Sequence, residues 1–251
     1  MYKQSRKTKS FFILSVLFSS VITLPVNASD ASRADAQFYK AVGINNEGML
    51  IYNKGDREAA LAKFQEAIAV CPDLGLAWNN KAFMEIQKGQ WKEARADFDE
   101  GIRRDPDECS LWDGRGLLNV QEHYYESAGK DFDTAIKLNP TFSRALGNRG
   151  YLKKTLGDLK SARADLDAAI RFDAHNYDAL NNRAMINWSE GDKASALADV
   201  QAALKIQPKF GNALKNLDYM QNHEPGERAR SIANTHYKTE YEAVVAPSER
   251  N

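Results

Sequence analysis

The sequence is short of every residue grouping that usually carries chemistry. Its four histidines, His123, His175, His223 and His236, stand far apart, and no pair has the spacing of metal ligands. Cysteine is limited to Cys71 and Cys109, neither of them in a CxxC pair or a nucleophile motif. No phosphate-binding loop, dinucleotide fingerprint or HExxH stretch occurs. An enzyme, a resident metal and a cofactor are therefore not expected. Net charge is lacking too: 34 basic residues balance 34 acidic ones. Without clustered Lys and Arg, nucleic acid is not an expected partner.

Long apolar runs are missing with one exception. FFILSVLFSSVITL (residues 11–24) follows Lys3, Arg6, Lys7 and Lys9 and precedes Val26, Asn27 and Ala28. Basic, apolar and small residues in that order read as a secretory signal peptide over residues 1–28, cleaved after Ala28. The run is shorter than the roughly 18–20 residues of a membrane span. An uncleaved anchor is the alternative. No Arg-Arg pair precedes the run and no Cys follows it directly, which points to the general secretory route without a lipid anchor. The expectation is export to a periplasm or equivalent lumen, with secretion as the alternative and no membrane insertion after cleavage.

What the chain does have is an internal period of 34 residues. Units begin at Ala41, Gly75, Cys109, Ser143 and Tyr177, and aligning them exposes columns of one residue type. Position 20 is Ala60, Ala94, Ala128, Ala162 and Ala196. Position 24 is Phe64, Phe98, Phe132, Leu166 and Val200, and position 8 is Gly48, Ala82, Gly116, Gly150 and Ala184. Position 4 is Ile44, Trp78, Trp112, Leu146 and Leu180, and position 32 is Pro in every unit but the fourth, which has Ala174. Positions 4, 8 and 11 share one helical face, as do 20, 24 and 27. Small residues at 8 and 20 let two antiparallel helices approach, with the bulky residues at 4 and 24 filling the space on either side. Gly55, Gly89, Gly157 and Gly191 fit helix stops of positive φ, with Asp56, Asp158 and Asp192 as caps of the next helix. His123 takes the Gly place in the third unit, where the turn should be strained.

In these columns the chain resembles the tetratricopeptide repeat (TPR) family over residues 41–208. The resemblance implies an all-α solenoid of stacked antiparallel helix hairpins, a right-handed superhelix, with five repeats: 41–74, 75–108, 109–142, 143–176 and 177–208. Residues 29–40 read as a leader extending the first helix, 209–222 as a cap helix and 223–251 as a flexible tail. The boundary at Ala174 should be the softest. Cys71 and Cys109 lie more than one repeat apart, and a disulfide would need their Cα atoms within about 7 Å.

Two polar columns stand out against this background. Position 7, commonly apolar in the family, is Glu47, Lys81, Arg115, Arg149 and Arg183. Position 23 is Lys63, Asp97, Asp131, Asp165 and Asp199, opposite in sign within every repeat. Ion pairs between the two columns inside each repeat follow as an expectation. Position 6 supplies Asn46, Asn80, Asn148 and Asn182, broken by Gly114, and position 5 adds Asn45, Asn79 and Asn181. The resemblance implies that positions 2, 5, 6, 9, 12 and 13 of each first helix line a concave groove. Some TPR proteins hold extended peptides there on an asparagine ladder, since an amide both donates and accepts. Tyr52, Phe83, Tyr151, Met185 and Trp188 lie between the rungs as candidate contacts. Residues that grip chaperone C-termini in other TPRs (Lys at 5, Asn at 9) are missing from every repeat.

The functional expectation is an exported interaction module that holds an extended segment of a protein or peptide partner in its groove. Assembly, scaffolding or a chaperone-like role in the cell envelope would suit it. The alternatives are a structural scaffold that uses its convex face or tail, and a secreted factor acting on a host protein.

Overall fold

The computed structural model describes residues 33–225, which form eleven α-helices and no strand. The expected signal peptide, and the expected tail from residue 226 onward, lie outside the described residues. The helices divide into two compact units, one ending at His123 and the other beginning at Tyr124. That division falls inside the third repeat, between its two helices.

The first unit holds α1 (Arg33–Asn53), α2 (Arg57–Val70), α3 (Gly75–Gln87), α4 (Trp91–Arg104) and α5 (Cys109–Gln121). α1 pairs with α2 and α3 with α4 as hairpins, and α5 packs on α4 and α3. α1 runs for 21 residues against 13 for α3, because residues of the leader continue the first helix. The second unit holds α6 (Tyr125–Leu138), α7 (Ser143–Thr155), α8 (Leu159–Phe172), α9 (Tyr177–Ser189), α10 (Lys193–Ile206) and α11 (Gly211–Asn222). Here α7 pairs with α8 and α9 with α10, while α6 packs on α7 and α11 closes on α10 and α9.

The packing columns explain the hairpins. Ala60, Ala94, Ala128, Ala162 and Ala196 are fully buried, as are Phe98, Phe132, Leu166 and Val200 beside them. A Cβ on Gly48 would sit 2.7 Å from Cε1 of Phe64, and one on Gly150 would sit 2.8 Å from Cγ of Leu166. Close approach of the paired helices therefore requires the small residue. Position 4 behaves differently from a pure core column. Trp78 and Trp112 are only half-buried, and their indole N–H groups donate to the Pro72 and Pro106 carbonyls at 2.8 and 2.9 Å. The tryptophans thus tie the start of one repeat to the proline that ends the previous one.

The turns follow their local chemistry. Asp56, Asp158 and Asp192 each accept from the backbone N–H three residues on, at 3.0 Å. His123 adopts φ 63°, the same left-handed turn as Gly55, Gly89, Gly157 and Gly191. At the boundary that lacks proline, Asn176 is buried and holds the joint: its Oδ1 caps α9 at Ala179 N (2.9 Å). Its Nδ2 donates to Ser143 Oγ at 2.8 Å, and Ser143 donates onward to the Ala169 carbonyl at 2.8 Å. Cys71 and Cys109 remain half-buried thiols. Among the described residues no helix is long and apolar enough to cross a membrane.

Candidate interaction surface

The charged columns are joined into networks. Lys63 meets Glu47 at 3.1 Å, and Lys81 meets Asp97 at 2.5 Å. Arg149 grips Asp165 with two parallel bonds, Nε–Oδ2 at 2.8 Å and Nη2–Oδ1 at 2.7 Å. Arg183 does the same to Asp199 at 2.9 and 2.7 Å. Each arginine also reaches back one repeat to position 25: Arg149 to Asp133 at 2.6 Å and Arg183 to Asp167 at 2.8 Å. Arg115 reaches Asp99 in the same way at 2.9 Å, whereas Asp131, its expected partner, belongs to the second unit. A planar guanidinium with five donors can serve both acids at once; an ammonium could not do so with the same geometry.

Position 11 enters these networks too, although the helical pattern assigns it to the apolar face. Lys153 binds Asp165 at 2.8 Å, Asn187 binds Asp199 at 3.0 Å, and Glu85 binds Lys81 at 3.1 Å. Arg95 donates to Asn119 at 2.9 Å and pairs with Glu122, and Arg163 repeats this with Asn187 and Glu190 at 2.7 and 2.5 Å. The signal was present in the sequence as polar residues at 11, opposite the acid at 23. Burial strongly affects these groups. It lifts the Glu85 carboxyl to about 7, helped by the neighbouring Asp97, against the pull of Lys81. Asp165 is pushed up by burial, yet the bonds from Arg149 and Lys153 outweigh this and hold it below the usual carboxylate value.

The asparagine columns turn out to be joints between helices. Asn80 Nδ2 donates to Asn45 Oδ1 at 2.9 Å, and Asn216 Nδ2 donates to Asn181 Oδ1 at 2.8 Å. Both pairs link position 5 of one first helix to position 6 of the next. Asn45, Asn46, Asn79 and Asn181 are buried, so they do not offer their amides to a groove as the sequence reading expected. Position 5 lies where two successive first helices touch, and that contact consumes it. Gly114 stands where Asn79 would find its partner, and a Cβ there would collide with the ring of Phe98. Asn79 Oδ1 is accordingly buried without a hydrogen-bond partner. Asn148 and Asn182 are half-buried, and Asn182 accepts from Lys154 Nζ at 2.8 Å.

Trp188, expected between the rungs of the groove, is buried as well. It is 1% exposed, packed in the core of α9, α10 and α11 with Tyr219 edge-on at 6.1 Å. The cap helix covers it, which the periodic pattern of the repeats alone does not reveal. The remaining candidates keep partial exposure. Tyr52 accepts from Gln87 Nε2 at 2.8 Å across α1 and α3, and Phe83 and Ile86 are half-buried beside them. In the second unit Tyr151 lies under Lys154, whose Nζ is 5.2 Å from the ring centroid, and Met185 is half-buried on α9. Burial draws Lys154 down to about 7 and lifts Asp178 to about 6, although the Asp178 side chain still meets solvent. Among the described residues no group of three or more His, Cys, Asp or Glu could hold a metal ion.

Comparison with known proteins gives these faces a family. A tetratricopeptide repeat model matches residues 46–108 and 148–209. No curated protein matches the sequence. Among solved structures, the thermophilic TPR protein TTC0263 of Thermus thermophilus is similar, with 20% identity, a TM-score of 0.62, and coverage of 73% of this chain and all of that one. The pilF protein of Pseudomonas aeruginosa has 15% identity and the same TM-score of 0.62, over 85% of this chain and 95% of its own. At these identities the likeness is one of fold. The fold is an all-α solenoid of helical hairpins, generally non-catalytic, and its members bind protein or peptide partners. The chain belongs to the tetratricopeptide repeat family and is a protein-interaction module.

Proposed function

We propose that the chain holds an extended segment of a partner protein on the face formed by its first helices, which in TPR proteins is the concave one. The observation that supports this most is the strip on α1, α3 and α5 of the first unit. Tyr52, Phe83, Ile86 and Leu117 remain partly exposed there, at positions 12, 9, 12 and 9, although each repeat has polar residues available for a solvated surface. Partly exposed aromatic and aliphatic side chains grouped on one face mark interaction sites more often than solvated ones. The face acts as assembly, scaffold or chaperone-like machinery in the cell envelope, reached through the signal peptide read in residues 1–28.

The test is a crosslinked pull-down of the mature chain from its own envelope fraction, with Phe83→Ala and the pair Asn148→Ala, Asn182→Ala alongside. Loss of the same partner in these variants, with an unchanged melting temperature for the asparagine pair, supports the reading. Undiminished capture by all of them would instead favour a scaffold that works through its other face or its tail. Recovery of the chain from the culture medium instead of the envelope would favour a secreted factor.

A further inference from the structure

Every first helix but α1 is covered on the side that meets the preceding repeat. At position 10, Met84, Leu118, Leu152, Ile186 and Met220 are at most 3% exposed. Four of them cluster with the residue at 24 of the preceding second helix: Met84 with Phe64, Leu118 with Phe98, Ile186 with Leu166 and Met220 with Val200. On α1 the same position is Leu50, which is 52% exposed. Position 3 behaves alike. Ala77, Leu111, Ala145, Ala179 and Ala213 are fully buried, whereas a Cβ on Gly43 of α1 would meet nothing within 4 Å. α1 therefore presents the seat of a second helix, and no second helix among the described residues fills it.

The seat specifies its occupant. Position 25 of each second helix follows the position 7 that it meets. Asp99, Asp133 and Asp167 precede Arg115, Arg149 and Arg183, and Gln65 precedes Lys81. Glu47 of α1 reverses the sign. Its exposed carboxylate lies 3.1 Å from Lys63, which also serves Glu66 at 3.0 Å, so two acids face one cation. The helix that fits here carries Lys or Arg at 25. Position 27 follows position 3 in size: Gly101 makes room for Leu111, and alanine meets alanine elsewhere. Gly43 thus calls for a residue larger than alanine.

The chain supplies such a sequence outside the described residues. Between residues 226 and 251 just one alanine is followed four places on by a large apolar residue, Ala233 by Tyr237, as at positions 20 and 24. That register puts Lys238 at 25 and Glu240 at 27. It puts Tyr241 at 28, where the repeats have Ile68, Ile102, Ile136, Ile170 and Leu204. α11 is a poor seat for this segment, because Asp218 stands at position 8, where the repeats admit only Gly or Ala.

We propose that residues 229–245 of a second copy of this chain dock on α1 as its missing preceding helix, with Lys238 beside Glu47 and the two tyrosines over Leu50. The contact is heterologous: each copy offers one seat and one segment, so copies join head to tail. Apolar burial at Leu50 supplies affinity, and the ion pair selects the partner and its register.

Sedimentation velocity of the mature chain over a wide range of concentration provides the test. Mass should rise with concentration, while Leu50→Asp and a chain ending at Pro225 should each remain monomeric. Circular dichroism checks that both stay folded, as the exposure of Leu50 predicts. Mixed together they should form a one-to-one complex, because the first keeps the segment and the second keeps the seat. Lys238→Glu in the first should weaken that complex at least about tenfold, and Glu47→Lys in the second should restore it. A parent chain that is monomeric at every concentration, assembly that survives removal of residues 226–251, or a mixed complex indifferent to the charge exchange would overturn the proposal.

Discussion

Arg183→Met should destabilise the protein more than Arg149→Met, although the two arginines make the same three contacts. Each holds a buried position-23 aspartate by two bonds and a more exposed aspartate by one. The outer contacts, to Asp133 and Asp167, are solvated and contribute less than about 1 kcal/mol each. The difference lies in what remains. Asp165 loses Arg149 but keeps Lys153 at 2.8 Å, so its charge is still compensated. Asp199 loses Arg183 and is left with the neutral Asn187 amide at 3.0 Å. Stranding a buried charge costs about 3–5 kcal/mol, and partial solvent access to the arginines lowers this somewhat. The expectation is about 3 kcal/mol for Arg183→Met and about 1.5 kcal/mol for Arg149→Met, read from urea unfolding followed by circular dichroism. Adding Asp199→Leu to Arg183→Met should recover most of the loss, because the uncompensated charge leaves with it. Equal losses in the two single variants, or a larger one in Arg149→Met, would refute the argument. Acid titration gives a second check. Asp165 is held below its ordinary value, so its contribution is complete above about pH 4 and is lost as pH falls through the lower folded value. Arg149→Met should move that acid limb to higher pH.

Two further predictions rest on single sites. Glu85 is lifted to about 7 in the folded chain, against about 4.3 unfolded, so the ionised form weakens the fold. Stability of the parent chain should therefore fall relative to Glu85→Gln between about pH 4.3 and 7, by as much as about 3 kcal/mol, and the gap should stay constant above that window. Melting curves that remain parallel from pH 4 to 8 would exclude this. His123→Gly should raise the unfolding free energy by about 0.5–1 kcal/mol, since it relieves a left-handed turn at φ 63° but loosens the unfolded chain. A loss of stability would show that the imidazole contributes more than its backbone strain costs.

The packing columns were legible because each reports one contact made the same way in every repeat. Ala at position 20 beside Phe or Leu at 24 has a single packing solution, and the structure buries all of them. The polar face was harder to read. Helical periodicity places Asn45, Asn181 and Trp188 on the side of the first helix that looks inward. It does not say whether the next helix covers them. Trp188 disappears beneath α11, the one first-helix equivalent that carries no second helix of its own among the described residues. Position 11 is hard to read for a related reason. An apolar face is inferred from the majority of its residues, and that majority hides Glu85, Asn119, Lys153 and Asn187.

The same columns, compared across repeats, carry the missing information. Where position 7 is arginine, at Arg115, Arg149 and Arg183, position 25 of the preceding repeat is Asp99, Asp133 or Asp167. Where position 7 is Lys81 or Leu217, the preceding residue is Gln65 or Gln201. Two-pronged cations thus occur only where two acids await them, and the variation between repeats reports a contact that no single repeat would reveal. The asparagines obey a parallel rule: the amide oxygen at position 5 gains a donor when position 6 of the next first helix is also an amide. Asn45 with Asn80 and Asn181 with Asn216 meet it, and Asn79 opposite Gly114 does not. Beside these pairings, partly exposed side chains remain on the first-helix faces at positions 9 and 12. In the first unit these include Tyr52, Phe83, Ile86 and Leu117, and in the second Tyr151 and Met185. A polar column that closes on itself belongs to the fold, and the residues it leaves over are where binding is to be sought.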